Sequence, residues 1–154
     1  MDQETIITFL IRAKQHTYAA GQKQAASSRP SSHDLNYSED DLSYIDTYLG
    51  SFHFIGEEAV WQKVDAIWGM NYYGKTLVDE IPEGFGEFLK AVLMRVPPEA
   101  PYRGPAEYHA GDFSYFCRWQ GEFNRFQGEE EIFFNGDRVY WLGFHGGEIK
   151  ELQV

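Results

Sequence analysis

The sequence predicts an α+β domain made of two similar halves, each an α-helix followed by an antiparallel three-stranded β-meander (αβββ). The main observation is an internal repeat, in which residues 42–75 align with residues 113–147 once Arg125 is skipped. Four of the first 12 aligned pairs and six of the next 22 are identical, whereas ordinary composition gives about two or three in all. The second observation is an amphipathic helix ahead of each repeat. We interpret this pattern as an internal duplication with pseudo-twofold halves.

The length favours a single domain over residues 1–154, with one half at 4–80 and the other at 81–150. Its 43% hydrophobic residues are enough for a packed core. The net charge of −11 disfavours binding to nucleic-acid phosphates or to anionic membranes. Because Cys117 is the one cysteine and no signal-peptide pattern is present, we predict a cytoplasmic protein without an internal disulfide.

The first half begins with a predicted helix over residues 4–16, where apolar side chains recur at helical spacing, and Gly21 offers a stop. Residues 21–41 are polar and rich in Ser, Asp and Gln. We predict a long loop there, and a loop of that length is either mobile or functional.

The repeat itself predicts a β-meander because apolar and polar residues alternate between turn signals. We predict the first-half strands at residues 42–49, 52–61 and 66–73. In the second half the last turn contains Asn135-Gly136, the strongest short hairpin signal, because both residues tolerate positive φ. Gly56 and Gly128 occupy matched strand positions, which predicts a bulge or a close backbone approach in each half.

The second half also begins with a predicted helix, whose apolar positions run from Phe85 to Val96 and which Pro97-Pro98 ends. Apolar residues at alternate positions in the last strand of each repeat predict that one face of this strand is buried. We assign to this core the residues Trp68, Met70, Tyr72, Tyr140, Leu142 and Phe144.

One acidic residue lies among aromatic residues on the first strand of the repeat. Alternation places Asp46 between Tyr44 and Tyr48 on one face, which we expect to be buried. The equivalent second-half positions are Tyr115, Cys117 and Trp119. Asp46 is then either a structural carboxylate that accepts hydrogen bonds, or a ligand anchor or general base with a raised pKa. Cys117 on the same face is interpreted as a core residue rather than a nucleophile.

Two further patterns carry ionisable groups. Gly56-Glu57-Glu58 recurs as Gly128-Glu129-Glu130, so either both acids are solvated after a glycine bulge, or one glutamate per half turns inward to face its counterpart. His145, at a strand end, is either a hydrogen-bonded structural residue or a catalytic one.

Arg29 and Arg103 lie beside prolines in corresponding loops and could remain solvated, or reach a carboxylate or an anionic ligand group. The histidines have no metal-ligand spacing, and no phosphate-binding glycine loop or nucleophile motif is present. We therefore predict no catalytic residue, metal or cofactor.

The combination of SSRPSSHDLNY, YIDTYLG, GEEAVW, WGMNYYG, PYRGP and FHGG resembles the bacterial domain-of-unknown-function family 5680 over nearly the whole chain. Members of that family occur alone or behind an Xre-type helix-turn-helix DNA-binding domain, which we do not find in this sequence. The resemblance implies a sensing role but supplies no catalytic residue. The duplicated αβββ unit is also similar to the effector-binding domains of drug-responsive regulators.

The sequence thus predicts a small-molecule-binding, sensor-like domain with its pocket between the halves, favouring aromatic or cationic ligands. A protein-interaction module is one alternative. Another is a small hydrolase or isomerase that uses Asp46, Glu57 or Glu129, and His145. We expect a homodimer or a regulator as partner. The candidate ligand-binding residues are Arg29, Tyr44, Asp46, Tyr48, Glu57, Trp68, Arg103, Tyr115, Trp119, Glu129, Tyr140 and His145.

Overall fold

A computed structural model describes residues 1–19 and 24–153 of the chain. Helix α1 covers Gln3–Lys14 and runs into a π-helical turn at Gln15–Ala19, and helix α2 covers Phe85–Leu93. The strands are β1 His33–Glu39, β2 Leu42–Gly50, β3 His53–Gln62, β4 Asp65–Thr76, β5 Glu107–Ala110, β6 Phe113–Glu122, β7 Arg125–Phe134 and β8 Asp137–Glu148. The α+β class predicted from the sequence is confirmed.

All eight strands form one antiparallel sheet in the order β1-β2-β3-β4-β8-β7-β6-β5. Two four-stranded meanders therefore meet at the β4–β8 pair, and the same connectivity occurs in both. The register also corresponds, because Tyr44 lies opposite Val60 in β3 just as Tyr115 lies opposite Ile132 in β7. The junction of the two halves is thus the centre of the sheet.

Both helices pack on one face of the sheet. Apolar residues of α1, including Phe9 and Leu10, share a buried core with Phe88 and Val92 of α2 and with alternate side chains of the strands. The predicted core residues Trp68, Met70, Tyr72, Tyr140, Leu142 and Phe144 all lie in it, at 5% exposure or less. The other face of the sheet has no helix on it in the described part of the chain.

The first predicted helix is confirmed, and its start is explained by a cap. Oδ1 of Asp2 accepts a hydrogen bond from the backbone N–H of Thr5 at 2.8 Å, which satisfies a donor that the first turn would leave free. The predicted stop at Gly21 lies outside the described residues.

The prediction of an uninterrupted loop at residues 21–41 is wrong, because it contains strand β1. The polar sequence of β1 gives little strand signal, yet all seven of its residues pair with β2. Leu35 is buried, and the buried Asp34 carboxylate accepts bonds from Ser32 and from the backbone of Ser28. The second half has a shorter edge strand, β5, at the corresponding place, so each half is a helix and four strands.

The matched glycines produce close approaches rather than bulges. Strand pairing is regular at Gly56, and the register shifts lie further on, at Val60/Trp61 and Ile132/Phe133. A Cβ on Gly56 would come within 2.4 Å of the Tyr72 ring. The predicted Asn135-Gly136 turn is confirmed, since both residues have positive φ, at 50° and 83°.

Candidate functional site

An open groove with a volume of about 1040 Å³ crosses the helix-free face of the sheet. Its floor is formed by the central strands β3, β4, β8 and β7, so both halves contribute to it, and Arg29 reaches it from the loop before β1. Pockets for small organic molecules have volumes of about 300–1000 Å³. The groove is therefore large enough for such a ligand.

A row of polar side chains crosses the middle of the groove. Glu57 of β3 lies opposite Asn71 of β4, Asn71 lies opposite His145 of β8, and His145 lies opposite Gln127 of β7. Directly opposed residues in antiparallel strands have Cβ atoms about 4.5–5.5 Å apart. A ligand on this row could contact several hydrogen-bonding groups from both halves.

Aromatic side chains border the next row. Tyr73 lies opposite Gly143, whose missing side chain opens the groove floor. The Trp141 indole covers part of this space, since a Cβ on Gly143 would be 3.0 Å from its Cζ2 atom. Trp141 Nε1 donates to Oε2 of Glu129 at 2.9 Å, which fixes the orientation of the indole. Tyr73 and Trp141 are therefore the aromatic side chains next to the space above Gly143.

The two acids of the groove differ in their partners. Glu129 accepts bonds from Trp141 and Arg118, and these two interactions lower the pKa of its carboxyl group. The Glu57 side chain has no hydrogen bond or ion pair with any described residue, and it is exposed. Glu57 is thus a groove carboxylate without a direct ion-pair partner among the described residues, although Arg29 also lines the groove.

A second set of ionisable side chains lies on the opposite, helix-covered face. The Lys14 ammonium group contacts Oε1 of Glu58 at 2.5 Å and donates to the backbone carbonyl of Tyr102 at 2.8 Å. The Tyr44 hydroxyl donates to the same Glu58 oxygen. Burial lowers the Lys14 pKa, and Glu58 opposes this shift. These contacts hold α1, β2 and β3 together.

Asp46 belongs to this buried set. Its carboxylate is 5% exposed and accepts a 2.6 Å bond from the Tyr72 hydroxyl. Burial and the nearby Glu58 charge raise the pKa of Asp46 to about 7, although Tyr72 and two cations oppose the shift. These surroundings agree with the structural interpretation of Asp46, in which a buried carboxylate accepts a hydrogen bond from a tyrosine.

The second half has its own buried ion pair. The Arg103 guanidinium donates to Oε1 of Glu130 through Nη2 at 2.7 Å and through Nε at 3.0 Å. Glu130 also accepts bonds from Tyr115 at 2.5 Å and Tyr140 at 2.8 Å, and it is fully buried. In each half, then, the second glutamate of the Glu-Glu pair turns inward and meets a cation and a tyrosine.

The structure divides the predicted ligand-binding residues between the two faces. Those lining the groove are Arg29, Glu57, Trp119, Glu129 and His145. Those in the helix-covered interior are Tyr44, Asp46, Trp68, Arg103, Tyr115 and Tyr140. Tyr48 is half-buried and stacks on His33 at a centroid distance of 4.8 Å. Four of the six predicted aromatic residues are therefore core, because their strand face packs against the helices.

The residues predicted for a hydrolase or isomerase site do not come together either. These residues are Asp46, Glu57 or Glu129, and His145. Asp46 lies under the helices, whereas His145 is exposed on the opposite face. The Cys117 thiol is 5% exposed, and burial together with Glu130 raises its pKa to about 12, so its assignment to the core is confirmed.

Sequence reasoning missed several residues of both sites. In the groove these are Asn71, Tyr73, Arg118, Gln127 and Trp141, and in the interior they are Lys14 and Glu58. Some of the groove residues could have been found from the alternation of side chains in β4 and β8, where aromatic residues also occur at odd-numbered positions. Since the even-numbered positions 68, 70 and 72 form the core face, Tyr73 and Trp141 had to face the other way.

Within residues 1–19 and 24–153, no cluster of three or more acidic, histidine or cysteine side chains could hold a metal ion. None of the described helices has the length and apolar character needed to cross a membrane. Residues 46–149, more than half of the chain, match a family described as Domain of unknown function (DUF5680). No curated protein and no solved structure matches the chain significantly.

Proposed function

Because the chain belongs to the family described as Domain of unknown function (DUF5680), which assigns no activity, we propose a function from the groove itself: the protein binds a small organic molecule there. The observation that carries the proposal is the position of the groove at the junction of the two halves, with polar groups from both along its floor. A sensing role belongs to the same proposal and is supported by the resemblance described above, as an analogy.

The groove favours an aromatic or cationic ligand. Glu57 supplies a negative charge that has no ion-pair partner among the described residues, and Tyr73 and Trp141 supply ring faces that attract cations. A good cation–π contact contributes about 0.5–2 kcal/mol. Two cations also line the groove, and one of them, Arg118, is paired with Glu129, which offsets its repulsion of a cationic ligand. The other is Arg29.

A thermal-shift series tests the charge preference. We expect benzyltrimethylammonium to raise the melting temperature more than benzyl alcohol or phenylacetate. Glu57→Gln should reduce the affinity for the cation up to about fivefold, which corresponds to about 1 kcal/mol for a partly solvated charge contact. Glu83→Gln is the matched control, since Glu83 is exposed and lies outside the groove. Stronger stabilisation by phenylacetate, or equal effects of the two substitutions, would contradict the preference.

A protein-interaction module is the second candidate. Ile55 and Tyr73 are directly opposed in β3 and β4 at one side of the groove, and their exposures are 53% and 41%. Adjacent exposed apolar side chains are typical of contact surfaces. In that case small probes would leave the protein unaffected, and a homodimer or a regulator would cover this face.

We also propose that the two halves arose by internal duplication, which their shared connectivity and register support. A bacterial origin, an association with Xre-type regulators and a cytoplasmic location belong to the same proposal. They are supported by the resemblance and by the single, buried cysteine, Cys117.

A further inference from the structure

The buried groups on the helix-covered face contain one more acid than cations. Glu58 is paired with Lys14, and Glu130 is paired with Arg103. Asp46 is the third carboxyl group, and its hydrogen bond comes from the neutral Tyr72 hydroxyl. If every group were ionised, the interior would hold one uncompensated negative charge, which burial makes costly.

The geometry places a second carboxyl group, that of Glu58, where it could share a proton with Asp46. Asp46 and Glu58 are directly opposed in β2 and β3, and both side chains line a small cavity of about 20 Å³ under α1. The bonds from Lys14 and Tyr44 both end on Oε1 of Glu58, so Oε2 remains available. Tyr72 bonds Oδ1 of Asp46, so Oδ2 remains available as well. The cavity has room for about one water molecule.

Every packed element contributes to the surroundings of Asp46. Its register partner in β1 is the apolar Leu35. The titratable and charged groups that face or influence it are Tyr44 and Tyr48 of β2, Glu58 of β3, Tyr72 of β4, Lys14 of α1 and Arg103 of the loop before β5. Both cations in this set already have a glutamate partner.

We propose that Asp46 and Glu58 hold one proton between them in the folded protein, as an internal proton-binding pair of β2 and β3 in the first half. The buried set is then electrically balanced, with Lys14 and Arg103 opposing Glu58 and Glu130. In the second half the position equivalent to Asp46 is Cys117, which lies opposite Glu130 and adds no second acid. The first half alone therefore carries a proton site.

The pair makes stability depend on pH with a defined sign. Burial and Glu58 raise the pKa of Asp46 from 3.8 to about 7. Between these values the folded protein keeps the proton and the unfolded chain loses it, so the contribution of Asp46 to stability falls as pH rises. The contribution is complete below about 3.8 and is lost above about 7.

The test compares the wild type with Asp46→Asn, which keeps the acceptor for Tyr72 and places an amide donor toward Glu58. We expect the ratio of the folding equilibrium constants, wild type over variant, to fall about tenfold per pH unit between about pH 4 and pH 7. Above pH 7 the variant should be the more stable protein. A ratio that is independent of pH, or that rises with pH, would overturn the proposal.

Carbon-13 NMR of the wild-type carboxyl groups covers the case in which Asp46→Asn does not fold. The Asp46 carboxyl signal should titrate with a midpoint near 7, and Glu58→Gln should lower this midpoint because it removes a negative charge and frees Lys14. A wild-type midpoint near 4 would contradict a retained proton. An unchanged midpoint in Glu58→Gln would show that the two carboxyl groups do not share it.

Discussion

Replacing Arg103 by alanine is expected to lower the free energy of unfolding by about 3–5 kcal/mol, the cost of breaking a buried ion pair by removing one partner. Glu130 is fully buried, and Arg103 is the cation that contacts it. Without the guanidinium group, the Glu130 carboxylate keeps two tyrosine donors but loses its compensating charge. Urea-induced unfolding, followed by tryptophan fluorescence, measures the change.

Arg118→Ala is the matched control for this prediction. Arg118 also pairs with a glutamate of β7, Glu129, but its side chain is 69% exposed, so the pair should contribute less than about 1 kcal/mol. Equal losses in Arg103→Ala and Arg118→Ala would contradict the importance of burial. The Arg103 pair would then be no stronger than a surface contact.

Met70→Ala is expected to cost about 2–5 kcal/mol, because it leaves a cavity in the packed core. Met70 is 1% exposed on the central strand β4, on the face that both helices cover. Met94→Ala provides the control, since Met94 follows α2 and is 42% exposed. Its replacement should change stability by less than about 0.5 kcal/mol. A loss that small in Met70→Ala would mean that its strand face is not core.

The parts of the fold that the sequence predicted correctly are those with one buried face. In β2–β4 and β6–β8 the alternation of apolar and polar residues fixes which side chains point inward, and a slip of one residue would expose the whole set. The repeat alignment, with its skip at Arg125, also agrees with the pairing of Tyr44 with Val60 and of Tyr115 with Ile132. The repeat alignment and the observed strand pairing therefore relate the two halves in the same way.

The edge strands could not be predicted in this way. Strand β1 is mostly polar, and its stability comes from backbone pairing with β2 and from the bonds of Asp34. Neither contribution produces a periodic pattern in the sequence. Strand β5 has four residues, which is too short for any alternation to be recognised.

The candidate site shows a similar limit. Glu57 and Glu58 are neighbours in sequence, yet one lies in the groove and the other is in the core, so composition alone could not assign them. The partner of Glu58 is Lys14, 44 residues earlier, at the end of a helix whose packing the sequence does not specify. Long-range contacts of single residues leave no local signal.

The most direct test of ligand binding in the groove is an NMR titration of the nitrogen-15-labelled protein with benzyltrimethylammonium. We expect saturable shifts of the backbone amides of Glu57, Asn71, Tyr73 and His145 and of the Trp141 indole N–H, all of which belong to groove residues. The amides of α1 and α2, on the other side of the sheet, should remain unchanged. Shifts confined to the helices, or no saturable shift at any groove residue, would contradict a binding site on the open face.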